Sequence, residues 1–197
     1  MQGKLVIIEG IDGAGKSTQA KLLFKNLKSS KVKTILLKEP ANKIFKNLIK
    51  KTDDEFERLL LFLLDRYKNF QKIEKFLKKG YFVILDRSFP STLVYQYYCS
   101  KLKSFIKEDL VIYLNHLAMN HISPDLVIIL DINHNSAFKR IKSKRSDFNF
   151  YNTKNFLKKA RNGYLYFAKK FKWKVINGEK EKESIALDIL NEVSKII

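Results

Sequence analysis

Apolar residues fall into two kinds of run along this chain. The first kind is short and continuous: 5–8, 34–37, 81–85, 126–130 and 174–176 are rich in Val, Ile and Leu and show no polar alternation. Such runs suit strands that are covered on both faces, as in a parallel sheet. The second kind is longer, with apolar positions spaced by three and four. It predicts a helix from about Lys16 with Leu22, Leu23 and Leu27 inward. A second helix is expected over 54–79, where Phe56, Leu59, Leu60, Leu63, Phe70 and Ile73 form a broad apolar stripe. Lys78-Lys79-Gly80 reads as its stop, cations in the last turn followed by a glycine. Further helices are expected after Pro90, over 109–120, from Ser136, over 155–171 and in the last stretch of the sequence. The alternation predicts an α/β fold, about five parallel strands with helices on both faces. No repeat, low-complexity linker or Pro/Gly-rich hinge interrupts it, so residues 1–197 are expected to form a single domain.

Composition narrows the class. Hydrophobic residues make up 45% of the chain, enough to build a core, and exclude a chain disordered by composition. The single cysteine, Cys99, excludes an internal disulfide and suits a reducing compartment. The apolar run 59–64 is far short of the ~20 residues a membrane helix needs, and no basic leader with a cleavage site precedes the first strand. A cytoplasmic protein with no membrane partner is expected. The net charge of +19 favours an anionic partner, whether nucleic acid, a membrane surface or a phosphorylated small molecule. The lysines are dispersed instead of forming one block, so the charge fixes the partner's sign and little else.

Gly10-Ile11-Asp12-Gly13-Ala14-Gly15-Lys16-Ser17-Thr18 supplies the chemistry. It fits G-x-x-x-x-G-K-[ST], a loop that wraps phosphates with inward-facing N–H groups and therefore needs glycines where φ is positive or a Cβ would intrude. The following helix turns its positive end to the same anion. Lys16 is suited to the β and γ phosphates, and the Ser17 hydroxyl to Mg²⁺. At average usage the pattern arises by chance in about 1% of chains of this length, and here it has the required strand before and helix after. A nucleoside triphosphate site follows.

Three more groupings bear on which kind. Strand 81–85 delivers Asp86 and Arg87 at its carboxyl end, where ligands of parallel sheets collect: a carboxylate for Mg²⁺, directly or through water, and a fork for a phosphate. Phe62 and Arg66 share one helical face, a flat ring beside a hydrogen-bonding fork. The basic segment from Lys139 to Arg145 is placed to close over a triphosphate. A guanine-reading N-K-x-D segment is absent, which excludes the common GTPase pattern. Left open are a kinase for one of several nucleoside monophosphates or deoxynucleosides and, from a different class, a basic nucleic-acid-binding ATPase. No RRM, zinc-finger or basic-zipper signature supports the latter, so no specific nucleic-acid partner is expected. His116, His121 and His134 lack ligand spacing or acidic companions and are read as structural, with no transition metal expected.

Together these stretches resemble the thymidylate kinase family over nearly the whole chain. "VIIEGIDGAGKSTQ", "LLLFLLDRYKN", "ILDRSFPSTLVYQ", "PDLVIILDI" and "RIKSKRSDFNFYNTKNFLKKARNGYLYFA" are each similar to a segment of that family in the same order. The resemblance implies a P-loop NTPase fold with a short basic lid, here 139–153, and transfer of the γ-phosphoryl of Mg²⁺·ATP to dTMP. By position it implies that Asp12 faces the deoxyribose side of the monophosphate, Phe62 stacks on thymine and Arg66 bonds its carbonyl edge. Arg87 holds the acceptor phosphate and Asp86 lies near the metal. Ser91 and Thr92 lie by the base, and Tyr95 crowds the 2′ position. The family places its catalytic cation either in the P-loop, as an arginine, or in the lid. Gly13 occupies the loop position, which points to the lid: Arg145 first, then Arg140 and Lys144. Two departures stand out. Lys38-Glu39-Pro40-Ala41-Asn42-Lys43 replaces R-E-P-G-G, leaving Lys38 or Lys43 as substitutes for a phosphate-binding arginine, and Ser88 replaces the tyrosine of D-R-Y. A homodimer is implied as well, with apolar surface expected on the helices over 90–98 and 109–120.

Overall fold

β1 (Lys4–Glu9) is buried along all but its first residue. Such a strand belongs in the interior of a sheet, and β1 is the middle member of five in the order β2-β3-β1-β4-β5. The structure, a computed structural model, describes residues 3–143 and 153–197. Within them β2 (Thr34–Lys38), β3 (Phe82–Asp86), β4 (Leu126–Asp131) and β5 (Lys174–Asn177) complete the sheet, every neighbouring pair being parallel. Each strand falls on one of the apolar runs. The register sets Ile8 and Lys38 on either side of Asp86, so the carboxyl ends of β1, β2 and β3 are level. That level edge carries the site.

Eight helices flank the sheet among the described residues: α1 (Lys16–Ser29), α2 (Lys43–Lys51), α3 (Glu55–Lys78), α4 (Phe89–Thr92), α5 (Glu108–Ala118), α6 (His134–Lys142), α7 (Lys154–Phe171) and α8 (Lys182–Val193). α3 has a full set of end signals. The Asp54 side chain accepts from the Glu57 N–H at 2.7 Å, acids occupy the first turn and lysines the last, and Gly80 follows with φ 75°.

Four local features depart from expectation. The apolar stripe of α3 divides between two faces: Leu59, Phe70 and Ile73 are buried, but Phe56 and Leu60 are 43% and 48% exposed. Their places inside are taken by Asp65, Arg66 and Asn69, polar groups with partners on other elements, and by Arg58, which pairs with Glu55 of the same helix and the Thr52 carbonyl before it. α2 was not foreseen, because it buries none of its residues and its periodic signal reflects no core contact. The start of the segment read as a basic lid, from Lys139, is helical through Lys142, since Ala137 and Ile141, one turn apart, keep α6 packed on the core. The chain after Pro90 also departs from a regular helix: α4 runs directly into a π-helical stretch, Leu93–Tyr98, whose Leu93 to Gln96 are buried.

The core joins β1 and β3 to α3 through Leu59, Phe70 and Ile73 and to α1 through Ala20, Leu23 and Leu27. Phe70 is fully buried. Phe70→Ala is expected to lower unfolding stability by about 3–5 kcal/mol. Urea titration checks this, and the midpoint should fall with the slope unchanged.

Candidate active site

β1 ends at Glu9, and the chain turns through the glycine-rich loop into α1. Gly15, with φ 93°, caps α1 without any side-chain cap bond, and the first turn holds no acid. The helix therefore presents uncompensated N–H groups and positive dipole charge to the space above the loop. At Gly13, with φ 83°, a Cβ would lie 2.7 Å from the Ala137 carbonyl oxygen of α6. A side chain at this position has no room beside α6.

Lys16 is buried, and its Nζ donates to the Gly10 and Ile11 carbonyls, each at 2.8 Å. Burial and then the nearby Arg87 charge lower its amine to about 7, against the opposing pull of Asp12, Glu9 and Asp86. Ser17 Oγ donates to Asp86 Oδ2 at 2.5 Å. Asp12, Gly13, Ala14, Gly15, Lys16, Ser17 and Thr18 line a cavity of about 490 Å³, to whose wall Lys38 and Arg140 also contribute. The sequence-predicted donor residues are thus together, Gly10 and Ile11 serving through their carbonyls. Lys144 and Arg145 lie outside the described residues. Arg140 sits at the far rim, 3.8 Å from Glu179 and near the Gly178 carbonyl.

A second cavity, of about 480 Å³, adjoins the first, with Asp12 and Arg87 lining both. Arg87 has φ 73°, its N–H donates to the Ile8 carbonyl, and its guanidinium pairs with the Asp12 carboxylate. Burial works against its charge, but Asp12, Tyr95, Tyr164 and Glu9 together outweigh it and keep the guanidinium protonated. Phe62, Arg66, Ser91, Thr92 and Tyr95 line this cavity too, so the whole sequence-predicted acceptor set converges. Arg66 is 1% exposed. Its Nε and Nη2 donate to Glu39 Oε2 at 3.0 and 2.8 Å, and its Nη1 donates to Thr92 Oγ1 and Asn115 Oδ1. Burial raises the Glu39 carboxyl while Arg66 pulls it back. The pair offsets its desolvation with several hydrogen bonds, as a buried pair must.

Several contributors escaped sequence reasoning. Glu9 is fully buried and accepts from the Ser88 N–H at 2.7 Å, the Ser91 N–H and hydroxyl, and the Tyr164 hydroxyl at 2.9 Å. It anchors the turn that carries Ser88 and Ser91. Its signal was present: one carboxylate directly after the apolar run 5–8. Gln96, buried, and Lys50, from α2, line the acceptor cavity. Gly178 to Lys182, between β5 and α8, completes the wall of the other. Of the two lysines weighed at the altered segment, Lys38 reaches the loop, with Nζ 2.9 Å from Asp86 Oδ2 and 3.0 Å from Ser17 Oγ. Lys43 faces a different surface hollow beside Lys68 and Lys72. The altered segment is held by Asp65 of α3, whose carboxylate accepts the Ala41 and Asn42 N–H groups, each at 2.8 Å.

Ser17 and Asp86 fit a hard divalent cation. Both offer oxygen, and Asp86 Oδ1 is buried without a hydrogen-bond partner.

A family model described as thymidylate kinase matches residues 8–189. The chain is 36% identical to a thymidylate kinase of Thermosipho melanesiensis, with 98% of this chain and 96% of the relative covered. It is 32% identical to a thymidylate kinase of Prochlorococcus marinus, over 100% and 99% of the two chains. It is 35% identical to a probable thymidylate kinase of Thermococcus gammatolerans, over 99% and 98%. With the loop, the paired cavities and a match from end to end, the chain belongs to the thymidylate kinase family.

Proposed function

We propose that the protein transfers the γ-phosphoryl group of Mg²⁺·ATP to dTMP, yielding dTDP and ADP. The observation that carries this reading is the shared wall. The cavity over the glycine-rich loop and the cavity beside Phe62 and Arg66 meet at Asp12 and Arg87. Two phosphorylated ligands in these cavities bring their phosphate ends to one place.

In the acceptor cavity Phe62 stacks on thymine, and Arg66 donates its remaining Nη2 hydrogen to a base carbonyl. Thr92 and the Gln96 amide complete the hydrogen bonds to that edge, and Tyr95 excludes a 2′ hydroxyl. Arg87 and Lys50 hold the phosphate, with Asp12 on the deoxyribose side. In the donor cavity the loop amides and Lys16 hold the triphosphate, and Arg140 with the loop from Gly178 to Lys182 borders the purine end. Ser17 and Asp86 hold magnesium, which when bound neutralises phosphate charge. The acceptor phosphate is already anionic, so no general base is needed. Alignment and charge neutralisation supply the rate. The remaining cation comes from the lid, Arg145 first and Arg140 and Lys144 after it. The contact of Gly13 with α6 supports this, because it leaves no space for a loop arginine.

Two further parts of the reading concern setting. Phe56, Leu60, Leu64 and Tyr67 form an exposed apolar stripe on α3, and Leu110, Tyr113 and Leu117 form another on the neighbouring α5. A second copy of the chain covering these stripes gives a homodimer through α3 and α5, whereas residues 92–96 are turned inward. Among the described residues no helix is long and apolar enough to cross a membrane. A cytoplasmic location fits the lone, buried Cys99.

Steady-state ADP release with a panel of monophosphates tests the reaction. The expected order puts dTMP ahead of dUMP, with dCMP at least about 100-fold lower in kcat/KM because its amino group meets donors. Lys16→Met should lower kcat about 10²–10³-fold, and equal turnover of dCMP and dTMP would defeat the base assignment. The lowered Lys16 amine makes a second prediction. Phosphate favours the charged amine, so binding Mg²⁺·ATP near pH 8 should take up close to one proton, and near pH 6, where Lys16 is already charged, almost none through this group. Calorimetry in buffers of different ionisation enthalpy reads the uptake, and Lys16→Arg should abolish it.

A further inference from the structure

The register of the sheet sets the last residue of β2 beside the last residue of β3. As a result Lys38 Nζ lies 2.9 Å from Asp86 Oδ2 and 3.0 Å from Ser17 Oγ, the two groups suited to a divalent cation. The three partners are unequal in their freedom. Asp86 is 4% exposed and fixed in the sheet, whereas the Lys38 side chain is 57% exposed. Ser17 Oγ in turn donates to Asp86 Oδ2 at 2.5 Å, so the three side chains form one closed contact. The cation paired with this buried carboxylate thus sits on a flexible, half-solvated arm. Lys16, the other cation near it, is occupied with the Gly10 and Ile11 carbonyls.

We propose that Lys38 is a built-in placeholder for the divalent metal: it holds Ser17 and Asp86 in the nucleotide-free protein and must leave when the metal arrives with the nucleotide. The role rests on the kinase reading above. An ammonium is a compact point charge with three donors on a four-carbon stem, so it can bridge two oxygens and swing away. A guanidinium is a planar fork that would grip the carboxylate bidentately and leave less readily. Displacement has a cost. Metal affinity in the nucleotide complex is lowered by the free energy of the Lys38 contacts, and the carboxylate is held in position meanwhile. An exposed ion pair with one buried partner lies between the solvated and the charge-assisted cases, which corresponds to a factor of about 3–10 in affinity.

The test is manganese binding, read from the electron paramagnetic resonance signal of free Mn²⁺ at saturating ADP, with no acceptor and no turnover. Lys38→Met should tighten Mn²⁺ binding about 3–10-fold, with thermal stability close to the parent because the side chain is largely exposed. Lys38→Arg, which keeps the pair, should bind Mn²⁺ no more tightly than the parent protein. Unchanged or weaker Mn²⁺ binding in Lys38→Met, with ADP still bound, overturns the placeholder role and leaves the kinase reading standing. Failure of the parent protein to bind ADP at all overturns both.

Discussion

An ion pair between Asp12 and Arg87 stands where the two cavities of this protein meet, and the site is organised around it. Its partners come from different elements. Asp12 belongs to the turn after β1, and Arg87 follows β3, which lies next to β1 in the sheet. The parallel register makes the two strands end level. Arg87 takes a left-handed backbone conformation, uncommon for a non-glycine residue, and its N–H is tied to the Ile8 carbonyl. The result is a guanidinium fixed at the junction of the two cavities, where the proposed transfer would call for positive charge.

Around that pair the interior spends much of its volume on polar contacts. Glu9 holds the turn that carries Ser91, Glu39 and Asn115 hold Arg66, and Asp65 holds the backbone at Ala41 and Asn42. Each buried charge here has partners on another element, which offsets desolvation and also fixes direction. A core built for stability alone would place leucine at many of these positions. What the polar version provides is geometry: four of the five Arg66 donors are committed to the protein, leaving one for a ligand.

Much of this was legible in the sequence, and the parts that were not share a cause. Continuous apolar runs located β1, β3 and β4 because a strand buried on both faces has no polar side to confuse the pattern, and the edge strands β2 and β5, only partly covered, still fell on shorter runs of the same kind. The loop and the residues after β3 were legible because phosphate chemistry constrains type and spacing together. The interior of α3 was misread. Leu60 and Phe56 looked like core, while the burial of Asp65, Arg66 and Asn69 left no mark, because periodicity records hydrophobicity and cannot see a polar residue whose partner is distant in the chain. α2 was missed for the complementary reason, being a surface helix with nothing to bury. With α2 went Lys50, and with the short β5–α8 connection went the rim from Gly178 to Lys182. The choice between Lys38 and Lys43 needed the strand register, which no local pattern contains.

The meeting of the two cavities can be measured directly with one ligand that spans them, adenosine and deoxythymidine joined 5′ to 5′ through a polyphosphate bridge. If the phosphate ends of donor and acceptor converge at Asp12 and Arg87, titration calorimetry with magnesium should give a Kd at least about 100-fold below that of ATP or dTMP alone, since the second half binds at high effective concentration. A Kd no lower than that of the tighter single nucleotide would contradict it.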